Sequence, residues 1–261
     1  MPHARTWIAV LRNSHDRLAS LVSPLNADEL GHGSYCSDWS IAQVLSHLGS
    51  GAEIFSLVLD AALTGGPPPG REAFAPIWEV WNARSPREQA ENWRRSDATL
   101  VERFESLDDS QLAGIHLSML GMELDAAGLV SMRLSEHAVH TWDVAAALDP
   151  AAELAADAVD LLIDIVGRLA GRIGKPQGER VNLRVHTTGP RRELGLTVDD
   201  EVRVTGAGEP AAGGTAGAEL HIPSAAFIRL IYGRLDPAHT PSGITADGVT
   251  LDSLRAVFPG F

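Results

Sequence analysis

The sequence almost lacks two residue types on which several common kinds of site depend. Cys36 is the only cysteine among 261 residues, so an internal disulfide and a cysteine-rich metal site are both excluded. Lys175 is the only lysine, and its position beside Pro176 in a predicted linker argues against a catalytic lysine. A zinc ion bound by this chain is therefore expected to have histidine and carboxylate ligands.

Long apolar runs and an excess of basic charge are missing as well. No stretch of about 18 apolar residues appears, so we predict no membrane-spanning helix. The 21 lysine and arginine residues face 34 acidic ones, which gives a net charge of −13. Because such a surface repels phosphate groups, neither nucleic acid nor an anionic membrane is expected as a partner. The first residues lack the apolar core of a signal peptide, so we expect a cytoplasmic protein. We expect it to be a monomer or a homodimer.

Apolar residues recur at helical spacing through the first two thirds of the chain. Helix-capping residues and proline support several of the predicted helix starts, including Ser40 with Gln43 and Ser85 with Pro86. A loop is predicted over 26–38, and 108–123 is ambiguous. The predicted helices cover 7–22, 39–63, 85–107, 125–148 and an alanine-rich segment at 151–173.

The pattern changes near residues 174–180, where alternation of apolar and polar residues replaces the helical period. Strands are predicted over 181–185, 194–198, 202–204 and 219–222, with helices over 223–232 and 251–257. The glycine- and alanine-rich stretch at 206–217 is predicted to be a mobile loop. The fold class is therefore α+β, with a helical domain over 1–174 and a small α/β domain over 175–261.

One group of residues has the chemistry of a metal site. Glu136 and His140 are four residues apart on a predicted helix, so both side chains project from the same face. His47 lies beside the apolar stripe of another predicted helix and is the natural third ligand. Two histidines and one glutamate with an open fourth position are a known zinc set. Bundles build such sites from inward side chains on facing helices.

Spacing alone leaves other interpretations open. A Glu–His pair four residues apart is more often a solvated surface pair, and a histidine like His47 is more often a hydrogen-bonded core residue. Asp143 is either a carboxylate that orients His140 or an ordinary helix residue. Cys36 precedes a predicted helix start, where a thiolate is favoured, but we interpret it as a small loop residue. Trp39 and Trp142 are interpreted as core residues.

Two motifs resemble those of a known family. Residues 36–48 read CSDWSIAQVLSHL and resemble the opening motif C-P-x-W-[ST]-[VI]-x-x-[VL]-x-x-H-[LI] of the mycothiol-dependent maleylpyruvate isomerases, although Ser37 stands where proline is common. Residues 133–144 read RLSEHAVHTWDV and look like the second motif of the same family. The last residues, 257–261, are similar to its usual close. The family belongs to the wider DinB/YfiT-like metalloenzyme superfamily.

The resemblance implies a fold and a set of site residues. It implies a DinB-like four-helix bundle that holds a divalent metal, zinc or a similar ion, through His47, Glu136 and His140. It implies a C-terminal domain like sterol carrier protein 2 (SCP2). In that domain the resemblance implies a catalytic or thiol-binding arginine, for which Arg234 is the better match and Arg229 the rival.

The resemblance also implies a reaction, in which a thiolate of mycothiol adds to a small electrophile. Reversible addition to a cis double bond isomerises it, whereas addition without elimination is S-transfer, and the two share their first step. Two other classes stay open on the sequence. One is a non-catalytic metal-containing protein that holds a small apolar ligand, and the other is a metal-dependent hydrolase with water at the open position.

Overall fold

The chain divides into two compact units. A computed structural model describes residues 2–36, 38–119, 121–206 and 217–260. The first unit comprises Met1–Glu153 and the second comprises Leu154–Phe261. Ser37, Phe261 and nearly all of the loop predicted over 206–217 lie outside the described residues, so the loop stays a prediction.

Four long helices form a bundle in the first unit, as predicted. α1 packs against α5 and α7, and α3 packs against the same two helices, so the four close a ring. Their starts and ends lie within three residues of the predicted ones, because apolar periodicity and end caps determine both. The Ser40–Gln43 and Ser85–Glu88 capping boxes are present. The helices are α1 (Ala4–Val22), α3 (Ile41–Thr64), α5 (Pro86–Ser106) and α7 (Ala126–Leu148).

Shorter elements connect these helices, and the sequence pattern did not predict them. A glycine on α3 allows one of them to pack closely, since a Cβ atom at Gly49 would lie 2.1 Å from the Trp81 ring. The short elements are α2 (Ala27–Leu30), a 3-10 turn (Arg71–Ala73), α4 (Ala75–Asn82), α6 (Asp109–Gly114), β1 (His116–Met119) and β2 (Met122–Asp125). β1 and β2 form an antiparallel hairpin in the segment whose structure the sequence left ambiguous.

The second unit is built around a five-stranded sheet in the order β5-β4-β3-β6-β7. The predicted meander is confirmed, since β4 pairs antiparallel with both β3 and β5. β6 returns parallel to β3, and β7 adds an edge that the sequence did not predict. The strands are β3 (Val181–Thr188), β4 (Arg192–Val198), β5 (Val202–Thr205), β6 (Ala218–Pro223) and β7 (Thr245–Asp247).

Helices in the second unit pack against this sheet and against one another. α10 contacts β3 and β6, and α9 contacts β5. The core of the second unit lies on the face of the sheet that α10 covers. Its buried residues include Leu183 and Val185 on β3, Leu220 on β6 and Phe227 on α10. The helices are α8 (Ala156–Leu162), α9 (Val166–Ile173), α10 (Ser224–Ile231), a 3-10 turn (Pro237–His239) and α11 (Leu251–Val257).

The single helix predicted over 151–173 is wrong, because the chain forms α8 and α9 instead. Glycines on α9 allow it to lie directly on β5. A Cβ atom at Gly167 would be 2.5 Å from the Val204 carbonyl oxygen, and one at Gly171 would be 3.2 Å from the Val202 carbonyl oxygen. Both helices belong to the second unit, so the division after Glu153 falls earlier than the predicted boundary at 174.

α3 is long and apolar enough to cross a membrane by length and composition, the one such helix in the described part of the chain. The core helix of a soluble bundle satisfies the same criteria. In α3, 56% of the most apolar 18-residue stretch is buried inside the protein. This agrees with its place in the bundle.

Candidate metal centre

The three predicted ligands converge between two helices of the bundle. His47 lies on α3, and Glu136 and His140 lie one turn apart on α7, which packs against α3. His47 Nε2 is 3.3 Å from Glu136 Oε2, and His140 Nε2 is 3.8 Å from the same oxygen. The two imidazole rings are 4.8 Å apart and steeply inclined. Residues 89 positions apart in sequence thus form one cluster.

The protonation states of this cluster suit metal binding. Burial lowers the pKa of His47, although the hydrogen bond with Glu136 opposes this shift. Burial alone would raise the pKa of Glu136, but the hydrogen bond from His47 and the charges of His140, His47 and Arg133 lower it to about 2. At neutral pH the glutamate is therefore ionised and His47 neutral, which are the forms that coordinate a metal.

The donor set also fits a tetrahedral ion. Ligand atoms bonded at about 2.0–2.1 Å around tetrahedral zinc lie roughly 3.4 Å apart, close to the 3.3 and 3.8 Å that separate the atoms here. The side chains of His47 and Glu136 are 37% and 40% exposed, so the cluster is accessible from one side. This arrangement can hold a divalent ion and leave a position for a ligand from solution.

A buried carboxylate orients one of the three residues. His140 Nδ1 donates a hydrogen bond to Asp143 Oδ2 at 2.8 Å, and the Asp143 side chain is fully buried. This bond leaves Nε2 as the nitrogen available to a metal ion, an arrangement common among metal-bound histidines. The Cys36 thiol donates to the same Asp143 oxygen at 3.1 Å. The interpretation of Cys36 as a small loop residue therefore missed its contact with Asp143, the carboxylate that orients His140.

Trp39 covers the cluster from the loop before α3. Its ring centroid lies 5.1 Å from that of His47 and 6.0 Å from that of His140. It also packs against the bundle core, as the sequence predicted for this residue. The interpretation of Trp39 as core alone was incomplete, because the indole restricts both histidine rings.

Comparison with known proteins identifies the family. Residues 11–145 match the family described as "Mycothiol maleylpyruvate isomerase N-terminal domain", which is more than half of the chain. The chain belongs to this family. The family predicted from two short motifs is therefore confirmed, and with it the prediction that the chain is a member of a family of enzymes.

Solved structures agree with this assignment. One is described as the crystal structure of the mycothiol-dependent maleylpyruvate isomerase, and the other is a variant of that enzyme with one histidine replaced by alanine. Each has a TM-score of 0.68 and 16% identity, and each alignment covers 94% of this chain and 93% of that chain. At this identity the likeness concerns the fold. No curated protein sequence matches the chain.

Close to the candidate metal centre lies a fully buried ionic network. Asp97 of α5 accepts hydrogen bonds from Arg133 at 2.5 Å, His15 at 2.6 Å and His137 at 3.0 Å. Arg133 also donates to the Leu48 carbonyl oxygen on α3 at 2.8 Å. Burial by itself would raise the pKa of Asp97, but His137 and Arg133 hold it well below 3.8. The network therefore joins all four bundle helices around one carboxylate.

The same network holds α7, the helix that carries two of the three candidate ligands. Arg133 and His137 lie on either side of Glu136 in the sequence of α7, and both donate hydrogen bonds to Asp97 of α5. This contact fixes the rotation of α7 that directs Glu136 and His140 toward His47. Sequence reasoning missed Asp97, although its spacing from Trp93 and Leu100 places it on the buried stripe of α5. A carboxylate on the apolar stripe of α5, together with His15 on the apolar stripe of α1, could have indicated a buried ion pair between these helices.

The two predicted arginines lie in the second unit, and both are buried. Arg229 donates to the carbonyl oxygen of His239 at 2.9 Å, and Arg234 donates to that of Tyr232 at 2.7 Å. The Arg234 amide in turn donates to the Arg229 carbonyl oxygen at 2.7 Å, so the two residues brace the same turn. Their roles in catalysis and thiol binding stay predictions.

Replacing Asp143 with asparagine is expected to weaken zinc binding about 10- to 100-fold, because the His140 ring loses its charged orienting partner. Competition for zinc with a chromophoric chelator measures the affinity of the His47, Glu136 and His140 site. Glu123→Gln, an exposed carboxylate change on β2, is the control and is expected to leave the affinity unchanged. Equal affinities for the Asp143→Asn and native chains would show that this carboxylate does not support the site.

Proposed function

We propose that the chain is a metal- and mycothiol-dependent enzyme that adds a thiol to a small electrophile. The product is either a trans isomer or an S-conjugate. The observation that supports this proposal is the convergence of His47, Glu136 and His140 in a member of this family. Zinc, or another divalent ion of similar preference, is the proposed metal, and mycothiol is the proposed thiol. The similar solved enzyme is named for its dependence on mycothiol.

The proposed roles of the residues follow from their contacts. When bound, the ion supplies a Lewis acid that lowers the pKa of a thiol coordinated to it. His47, Glu136 and His140 would hold the ion. Asp143 keeps the His140 ring in one orientation, and Trp39 limits the rotation of both imidazoles. Because these groups are already ordered, little rearrangement is needed when the ligands bind.

The proposed reaction starts with one addition. The sulfur of the thiol bonds to one carbon of a cis double bond, and a proton is added at the neighbouring carbon. The bond between them is then single and rotates. Loss of a proton from that carbon and of the thiolate from its neighbour restores the double bond in the trans form, and the two recombine as the free thiol. If the thiol does not leave, the product is an S-conjugate, so one site serves both reactions.

An arginine is proposed to bind an anionic group in this reaction. A guanidinium pairs well with a carboxylate because it forms two parallel hydrogen bonds. Arg234 is the proposed catalytic arginine, and Arg229 is the proposed thiol-binding one. Comparing Arg234→Lys with Arg229→Lys by the separate effects on kcat and KM would distinguish a role in turnover from a role in binding.

We expect zinc-loaded protein to convert maleylpyruvate, a cis-unsaturated keto acid, only when mycothiol is present. Removal of the metal with a chelator should abolish conversion, and added zinc should restore it. Liquid chromatography of the products separates the trans acid from an S-conjugate and so distinguishes isomerase from transferase. His116→Ala, a change at an exposed histidine of the same unit, is the control and should retain activity.

Three outcomes would contradict the proposal. Turnover at the same rate without thiol would favour a metal-dependent hydrolase. Tight binding of an apolar ligand, with no product from a panel of electrophiles, would favour a non-catalytic binding protein. Full activity in the chelator-treated protein would exclude the metal from the reaction.

A further inference from the structure

The second unit contains a second cluster of metal-binding side chains, on the open face of its sheet. His186 on β3 and His221 on β6 are paired in register on neighbouring parallel strands. Glu219 precedes His221 by two residues and therefore lies on the same face of β6. One ligand atom from each of these three residues lies within 4.8 Å of the other two. The cluster shares no residue with the centre at His47.

The two histidine rings are stacked face to face. Their centroids are 4.5 Å apart and the ring planes differ by 12°. The buried side chains of these strands, including Leu183, Val185 and Leu220, point to the other face. Strand alternation thus fixes which face the histidines occupy, and the parallel register places them side by side.

One histidine is already oriented as a metal ligand. His186 Nδ1 lies 2.6 Å from a carboxylate oxygen of Glu193, its paired residue on β4. Nε2 of the same ring is buried and has no hydrogen-bond partner among the described residues. A buried nitrogen without a partner is unfavourable, and a metal ion would satisfy it. A carboxylate on the other ring nitrogen is the usual support of a metal-bound histidine.

The other two residues have room to adjust. The side chains of His221 and Glu219 are 54% and 40% exposed, and His221 Nε2 lies 3.7 Å from Glu219 Oε2. Arg184 contacts the other oxygen of Glu219, Oε1, at 3.3 Å, so Oε2 stays on the side of the histidines. Small rotations of exposed side chains bring such atoms to the spacing of roughly 3.4 Å that zinc requires.

We propose that His186, His221 and Glu219 bind a second divalent ion, which is zinc, nickel or copper. Glu193 would orient the His186 ring through its contact with Nδ1. Two imidazoles and a carboxylate favour these ions over calcium or magnesium, which prefer oxygen ligands. The site is more exposed than the centre at His47, so it should bind zinc more weakly.

Zinc titration of full-length variants tests this site separately from the first. In the His47→Ala/His140→Ala double variant, which lacks the first centre, one equivalent of zinc should still bind in a calorimetric titration. Adding His221→Asn should weaken this binding at least tenfold, whereas adding His116→Asn, at an exposed histidine of the first unit, should not. Zinc should also shift the ring ¹⁵N signals of His186 and His221.

If the double variant does not fold, the native chain answers the same question. It should then bind two equivalents of zinc, and His221→Asn should reduce this to one. A stoichiometry that is the same in the native chain and in His221→Asn would overturn the proposal. A second equivalent that survives both His186→Asn and His221→Asn would overturn it as well.

Discussion

The Asp97→Asn variant is expected to lose roughly 3–5 kcal/mol of unfolding free energy, because removal of one partner leaves a buried charge uncompensated. The Arg133 side chain is 2% exposed and Asp97 fully buried, so water cannot replace the lost carboxylate. Asparagine keeps only one acceptor oxygen, so it cannot accept from Arg133 on one side and from His15 and His137 on the other. Urea unfolding followed by circular dichroism measures the loss.

The chain offers a matched control for this experiment. Asp60 also pairs with an arginine, Arg103, but its side chain is 59% exposed. Asp60→Asn should therefore cost less than about 1 kcal/mol. If Asp97→Asn does not fold, the Asp97→Asn/Arg133→Met double variant removes both charges and should recover part of the stability. Similar losses for Asp97→Asn and Asp60→Asn would show that the network contributes little.

The same carboxylate makes the stability depend on acid. The pKa of Asp97 is held well below its ordinary value of 3.8 in the folded chain. Its contribution is therefore complete above the unfolded pKa and is lost as the pH falls through the folded one, because the unfolded chain takes up the proton first. Below about pH 4 the native chain should lose this component, whereas Asp97→Asn should lack it.

The His47→Ala variant is expected to bind zinc at the first centre more than about 100-fold more weakly than the native chain. Loss of a direct ligand should exceed the 10- to 100-fold cost of losing an outer partner. The side chain of His47 is 37% exposed, so its truncation should leave the fold intact. Competition titration with a chelator measures the affinity, and the unfolding midpoint verifies the fold.

A substitution elsewhere in the first unit provides the control for this variant. His116→Ala changes an exposed histidine on β1 and should alter neither zinc affinity nor stability. An unchanged affinity in a folded His47→Ala protein would remove His47 from the ligand set. It would leave Glu136 and His140 to hold the ion alone, which two ligands do poorly.

Local patterns were sufficient to predict most of the bundle. Periodic apolar residues, the capping-box spacing at Ser40 and the Ser85–Pro86 pair identified the long helices, because these signals act between residues close together in the chain. The break between α8 and α9 was missed, since the alanine-rich sequence favours one continuous helix. Packing of the α9 glycines on β5 is a contact with residues about 35 positions away, and helical spacing carries no trace of it.

The candidate centre also has a part that local sequence signals predicted and a part that depends on long-range contacts. Glu136 and His140 were recognisable as candidate ligands from their spacing on one helix, and His47 from its place beside the apolar stripe of another. The two family motifs supported all three. The buried support was not recognisable, because the partners of Asp97 lie 36, 40 and 82 residues away from it. The contact of Cys36 with Asp143 spans 107 residues.

The sequence by itself determined the chemical inventory of this protein: one cysteine, one lysine, histidine and carboxylate ligands, helices first and strands later. Only the tertiary structure decided which of these groups meet. It placed His47 against Glu136, Asp143 behind His140, and His186 beside His221. The physical reason is that periodicity and capping act between neighbours in the chain. A hydrogen bond or a shared metal ion depends on how separate elements pack.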